Sequence, residues 1–254
     1  MKIQHRKLTL ISVILACTIS SPQILAHSKF QITTAEEGAT VYNNISIGHG
    51  CENPKPEITT KLPVIANRMI LPDATGTVFV NGVATSEPIT NYLTNWPGTL
   101  FKNVPSTSTF ATQDVVLTSD ATSPIGKSST SGKVPGDFNT GLIPFVLKAP
   151  SIKTGPDNCA LSVTLEGAIA DICKFTTTKN LTVHTANIWM SAGTGSKFDS
   201  YNLDGLGSPA LFKITRLITN PIPAGCGAGT IVVIKPTATQ LNTDLPIKGR
   251  WANN

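Results

Sequence analysis

Short segments of alternating apolar and polar residues recur along the whole chain, broken by Gly, Pro, Asn and Ser, and no stretch sustains a helical period. Leu161, Val163 and Leu165 alternate with Ser162, Thr164 and Glu166, and Leu211, Lys213 and Thr215 alternate with Phe212, Ile214 and Arg216. A period of two puts one set of side chains on each face of a strand, the pattern of a half-buried antiparallel sheet. Strands are expected over residues 30–34, 40–47, 57–71, 77–80, 110–118, 142–148, 160–167, 181–190, 211–219 and 230–235. Pro63 should bend the third of these or hold it at an edge. The Ser-, Gly-, Thr- and Pro-rich stretches 119–136 and 192–209 read as long loops, and no helix of more than two turns is expected. Ten short strands without helices predict an all-β fold, an antiparallel immunoglobulin-like β-sandwich. One domain over residues 27–254 is expected, with a C-terminal β extension from about residue 187.

Residues 1–26 read as a signal peptide. Lys2, Arg6 and Lys7 form a positive start, residues 8–16 an apolar stretch, and Ile24-Leu25-Ala26 a cleavage site that leaves His27 first. Ile14-Leu15-Ala16-Cys17 offers a second ending, lipid attachment at Cys17, although Leu and Ile fit the lipidation pattern poorly. Either way the chain is expected to be exported to the periplasm or the cell exterior. The net charge of +5 belongs largely to this segment, because beyond it 17 basic residues face 15 acidic ones. No run of Lys or Arg follows, so a nucleic-acid partner is not expected. The apolar stretch 8–16 is too short to cross a bilayer, and no later segment approaches the ~20 apolar residues required.

Beyond the signal four cysteines remain: Cys51, Cys159, Cys173 and Cys226. An even number in an exported chain predicts two disulfides, with three pairings open. No CxxC pair occurs, which argues against structural zinc or thioredoxin-like chemistry.

Catalytic signatures are missing from the sequence: no G-x-S-x-G elbow, no phosphate-binding loop ahead of a helix, no H-E-x-x-H. The chain is therefore expected not to be an enzyme. Metal binding has better candidates. As an N-terminal residue, His27 presents its α-amine and imidazole Nδ1 to one ion. The amine's ordinary pKa of about 7.7–8.0 makes deprotonation inexpensive near neutral pH. Such nitrogen ligands suit copper, which leads the divalent affinity order. Gly48-His49-Gly50-Cys51-Glu52 adds His49 and Glu52 on a loop that a disulfide at Cys51 would hold. Trp96, Trp189 and Trp251 are the candidate aromatic walls for a cation.

These residues resemble a family. Ala26-His27, Gly38–Tyr42, Ile45–Cys51 ending in His-Gly-Cys, and Thr59–Pro63 are similar to the start of YcnI-like proteins, with a fainter likeness over 141–175. The resemblance implies a periplasmic or surface β-sandwich that binds copper through an N-terminal His, with a Glu and a Trp nearby. Carried over, these are His27, Glu52 (or Glu57) and Trp189 (or Trp96). The family often ends in a membrane helix, whereas this chain ends in polar Trp251–Asn254, and the region from Phe175 onward looks additional. The function expected is copper acquisition, delivery or tolerance, with an envelope copper-handling protein as a possible partner. Two alternatives stand beside it: a structural or adhesive envelope protein, and a copper monooxygenase, which would need His49 or His184 as a second imidazole.

Overall fold

A computed structural model describes residues 27–137, 139–155 and 158–252. The expected signal peptide and Cys17 lie outside the described residues.

The first strands are β1 (Lys29–Phe30), β2 (Thr34–Glu36), β3 (Thr40–Ile47), β4 (Ala66–Ile70), β5 (Thr77–Val80) and β6 (Val83–Thr85). Next come β7 (Leu93–Thr94), β8 (Phe101–Asn103), β9 (Phe110–Leu117), β10 (Pro124–Gly132), β11 (Gly141–Lys148) and β12 (Ser151–Ile152). The last are β13 (Ala160–Ile172), β14 (Thr176–Thr177), β15 (Ala186–Trp189), β16 (Ala210–Thr215), β17 (Thr230–Lys235) and β18 (Trp251–Ala252), with one short helix, α1 (Ala238–Asp244). The fold is an all-β sandwich.

One layer is a four-stranded antiparallel sheet in the order β1-β3-β11-β8. The other runs β6-β5-β17-β13-β4-β10-β9, with β15 and β16 also on β13 and β2 on β16. It is mixed, because β17 pairs with β13, and β2 with β16, in parallel. Phe30, Ile45 and Phe145 from the first layer pack on Met69, Leu165 and Ile169 from the second. A second cluster lies on the outer face of the larger sheet, where Ile70, Ala168 and Ile188 meet Phe198, Leu241 and Trp251. Burying both faces explains why β13 loses its alternation after Gly167 and continues to Ile172.

β13 is the spine. Its first half pairs with β16 and β17, and its second half with β4 and β15. Strands from the expected C-terminal extension thus flank it.

The stretch 119–136 is corrected: it holds the nine-residue strand β10, paired with both β4 and β9. Its sequence hid it because the inward positions carry Lys127 and Ser129, both 0% exposed. Lys127 has a structural task. Pro144 on β11 and Pro105 after β8 have no N–H, and the β8–β11 ladder ends at Phe145–Asn103. Lys127 Nζ reaches across the sandwich and donates to the Val104 and Pro144 carbonyls at 2.9 and 2.7 Å. Burial lowers its pKa to about 8. The stretch 57–71 keeps only β4 as a strand, and before it Cys51–Leu62 and Val64–Val134 are isolated bridges on either side of Pro63. Among the described residues no helix is long and apolar enough to cross a membrane.

Candidate functional site

Registered side chains build a polar row across the larger sheet. Ser129 on β10 lies opposite Asn67 on β4, Asn67 opposite Asp171 on β13, and Asp171 opposite Asn187 on β15. All four are fully buried. The row continues the inward face of β13, where Val163, Leu165, Gly167 and Ile169 precede Asp171 at every second position.

Asp171 gathers three donors. Ser28 Oγ and Trp189 Nε1 donate to its Oδ2 at 2.5 and 2.7 Å, and Asn67 Nδ2 donates to its Oδ1 at 2.7 Å. Burial holds the carboxyl's pKa above the ordinary carboxylate value, against the downward pull of these three donors. Asn67 Oδ1, Asn187 Oδ1 and Ser129 Oγ have no hydrogen-bond partner among the described residues.

Trp189 sits diagonally from Asp171, within reach of a large side chain across an antiparallel pair. Asp171 holds the indole by its N–H, and Gly205, at φ +99°, lies against it from behind. A Cβ on Gly205 would come 2.7 Å from two indole carbons. Against this fixed indole lie two imidazoles. The His27 ring is tilted 36° at a centroid distance of 4.9 Å, and the His49 ring stands edge-on at 5.7 Å and 77°. The Ser28–Asp171 bond ties down the residue next to His27, which is itself exposed.

His49 is held by its loop. Its Nδ1 donates to the Gly50 carbonyl, a bond that leaves Nε2 as the nitrogen with a free lone pair. The same carbonyl accepts from Asn187 Nδ2 at 3.2 Å, linking His49 to the polar row. A Cβ at Gly50 would fall 1.6 Å from the Leu62 carbonyl oxygen, so only glycine fits there. Cys51 follows, bonded to Cys173 two residues beyond Asp171. The second disulfide joins Cys159 to Cys226. These two bonds settle the pairing that the sequence left open.

His27, His49 and Trp189 are therefore brought together. Glu52 is turned to other work: its carboxylate pairs with Lys61, its N–H donates to Val183 O, and its carbonyl accepts from His184 Nδ1 at 3.2 Å. Glu57 lies exposed in a turn. Trp96 is core, donating to Pro72 O at 3.0 Å, and Trp251 packs on Phe198 in the outer cluster. Asp171, Asn67, Asn187 and Ser28 were not foreseen. The available signal was one acid inside the apolar run Ala168–Cys173.

Two imidazoles on one indole are a pair of nitrogen donors beside an aromatic face, with a buried carboxyl behind. Among the described residues no group of three or more His, Cys, Asp or Glu side chains is set to hold a metal ion. No family model matches the chain, and no curated protein matches it.

Proposed function

We propose that this is an exported copper-binding protein for copper acquisition, delivery or tolerance, with His27 as its first mature residue. The observation that supports the reading is the meeting of His27 and His49 on the Trp189 indole. As the first residue, His27 offers its amine and Nδ1 to the ion, and His49 Nε2 adds a third nitrogen, a donor set suited to copper. The hydrogen bond from His49 Nδ1 to a backbone carbonyl is the outer support that metal-binding histidines usually have. Trp189 presents a wall attractive to a cation, and Asp171 anchors both that wall and the N-terminal segment. His49 suits the third position better than Glu52, whose charge Lys61 already matches. The two disulfides fit an oxidising compartment.

Titration of the mature protein with Cu(II), followed by native mass spectrometry and tryptophan emission, tests the reading. One equivalent should bind and quench Trp189. Undiminished affinity in His27→Ala would overturn it.

A catalytic reading has one observation in its favour. The second imidazole that a copper monooxygenase brace requires is available in His49, on the same indole as His27. Oxidised oligosaccharides released from chitin or cellulose, given copper, a reductant and oxygen, would establish it.

A further inference from the structure

The outward face of the four-stranded sheet carries lysines and an aromatic ring, and no acid. Tyr42 on β3 stands near its middle, 76% exposed. Val146 on β11 lies between Tyr42 and Lys102 of β8, Lys148 lies opposite Thr40, and Lys29 of β1 lies opposite Ser46. Asn44, Ser46, Leu142 and Pro144 complete the face. None of these residues is acidic, and Glu36, the nearest acid preceding β3 with an exposed position, belongs to β2 in the other sheet. The ion pairs found among the described residues, Lys61–Glu52 and Lys235–Glu166, use neither Lys29, Lys102 nor Lys148.

The spacing of the charges selects the partner. Thr40 and Ser46 are six residues apart on one strand, so Lys148 and Lys29 mark ends roughly 20 Å apart at about 3.3 Å per residue. That exceeds the Debye length of about 8 Å at physiological salt, so one compact anion cannot engage both ends. An extended polyanion can. A bilayer is a poorer fit, since recognition of anionic lipid takes a tight cluster of about 4–8 basic residues. A nucleic acid is disfavoured by the two disulfides, which fit an oxidising compartment. An exposed phenol on a sheet face offers an apolar surface with a polar tip, suited to the face of a sugar ring.

We infer that this face binds an acidic polysaccharide, with Tyr42 packing on a sugar ring and Lys29, Lys102 and Lys148 pairing with successive carboxylates or sulfates. This binding does not depend on the metal reading, because the face is separate from His27, His49 and Trp189.

Affinity electrophoresis and calorimetry of the disulfide-bonded mature protein test the inference, with polygalacturonate as the acidic probe and dextran as the neutral one. Polygalacturonate should retard the protein and dextran should not. Binding should weaken at least tenfold between 20 and 300 mM salt, in Lys102→Glu/Lys148→Glu, and in Tyr42→Ala. All these positions are exposed, and near-UV circular dichroism checks that each variant is folded. Equal retention by dextran, unchanged binding in either variant, or tighter binding to single-stranded DNA or phosphatidylserine vesicles would overturn it.

Discussion

Replacing Ser28 with Ala removes one hydroxyl and nothing else from the candidate site. That hydroxyl donates to a fully buried carboxyl at 2.5 Å, with Asn67 and Trp189 remaining as donors after its loss. Losing one partner of a buried polar group costs about 1–3 kcal/mol. Taking ~2 kcal/mol, the midpoint of thermal unfolding should fall by about 4–8 °C for a domain of this size. β1 pairing holds the chain from Lys29 onward, and the Ser28–Asp171 bond is the contact that holds the residue next to His27 beside the indole. If its full ~2 kcal/mol serves to hold His27 there, copper affinity should fall roughly 30-fold. Calorimetry gives the first quantity, and Cu(II) titration by tryptophan emission the second. A lowered midpoint with unchanged copper affinity would refute the role of Ser28 in placing His27. If neither quantity moves, the Ser28–Asp171 bond does not hold the segment at all.

Three further outcomes are expected. Lys127 has its folded pKa lowered to about 8 from 10.5, so between those values the unfolded chain binds more protons and stability rises with pH; urea midpoints should climb from pH 8 to 10, by about 2 kcal/mol in stability, and stay flat in Lys127→Met. Gly50→Ala drives a Cβ onto the Leu62 carbonyl, so a loss above about 4 kcal/mol or failure to fold is expected by urea titration. Cys51→Ala/Cys173→Ala should cost about 2–5 kcal/mol and weaken copper binding, because Cys51 is two residues from His49, whereas Cys159→Ala/Cys226→Ala should cost stability alone.

Where one face of a strand meets the core and the other meets solvent, the sequence announces the strand. β3 and the first half of β13 lie on the expected residues for that reason. Alternation fails in two opposite ways. In β10 the inward side chains are Lys127 and Ser129, polar groups that need partners from the other sheet, so the segment reads as a loop. In the second half of β13 both faces are buried, and the apolar run has no period to extend the strand past Gly167. The candidate site divides in the same manner. His27, His49 and Trp189 were legible as residue types in a suggestive setting, while Asp171 was not, because nothing local tells that three donors from residues 28, 67 and 189 converge on it. Glu52 shows the reverse: a plausible ligand by spacing, it finds Lys61 only nine residues away.

The polar row also dictates an order of events. Its members come from residues 67, 129, 171 and 187, and the Ser28–Asp171 bond spans 143 residues. Contacts that distant in sequence require the long loops between them to be closed. No fragment of the chain, and no partly assembled sheet, can present His27 and His49 on one indole. The amine and Nδ1 of His27 belong to one residue and can chelate an ion in any form of the chain, but only a chain that has joined β4, β13 and β15 can bring His49 and the Trp189 indole to that ion, so the full site reports completion of the fold.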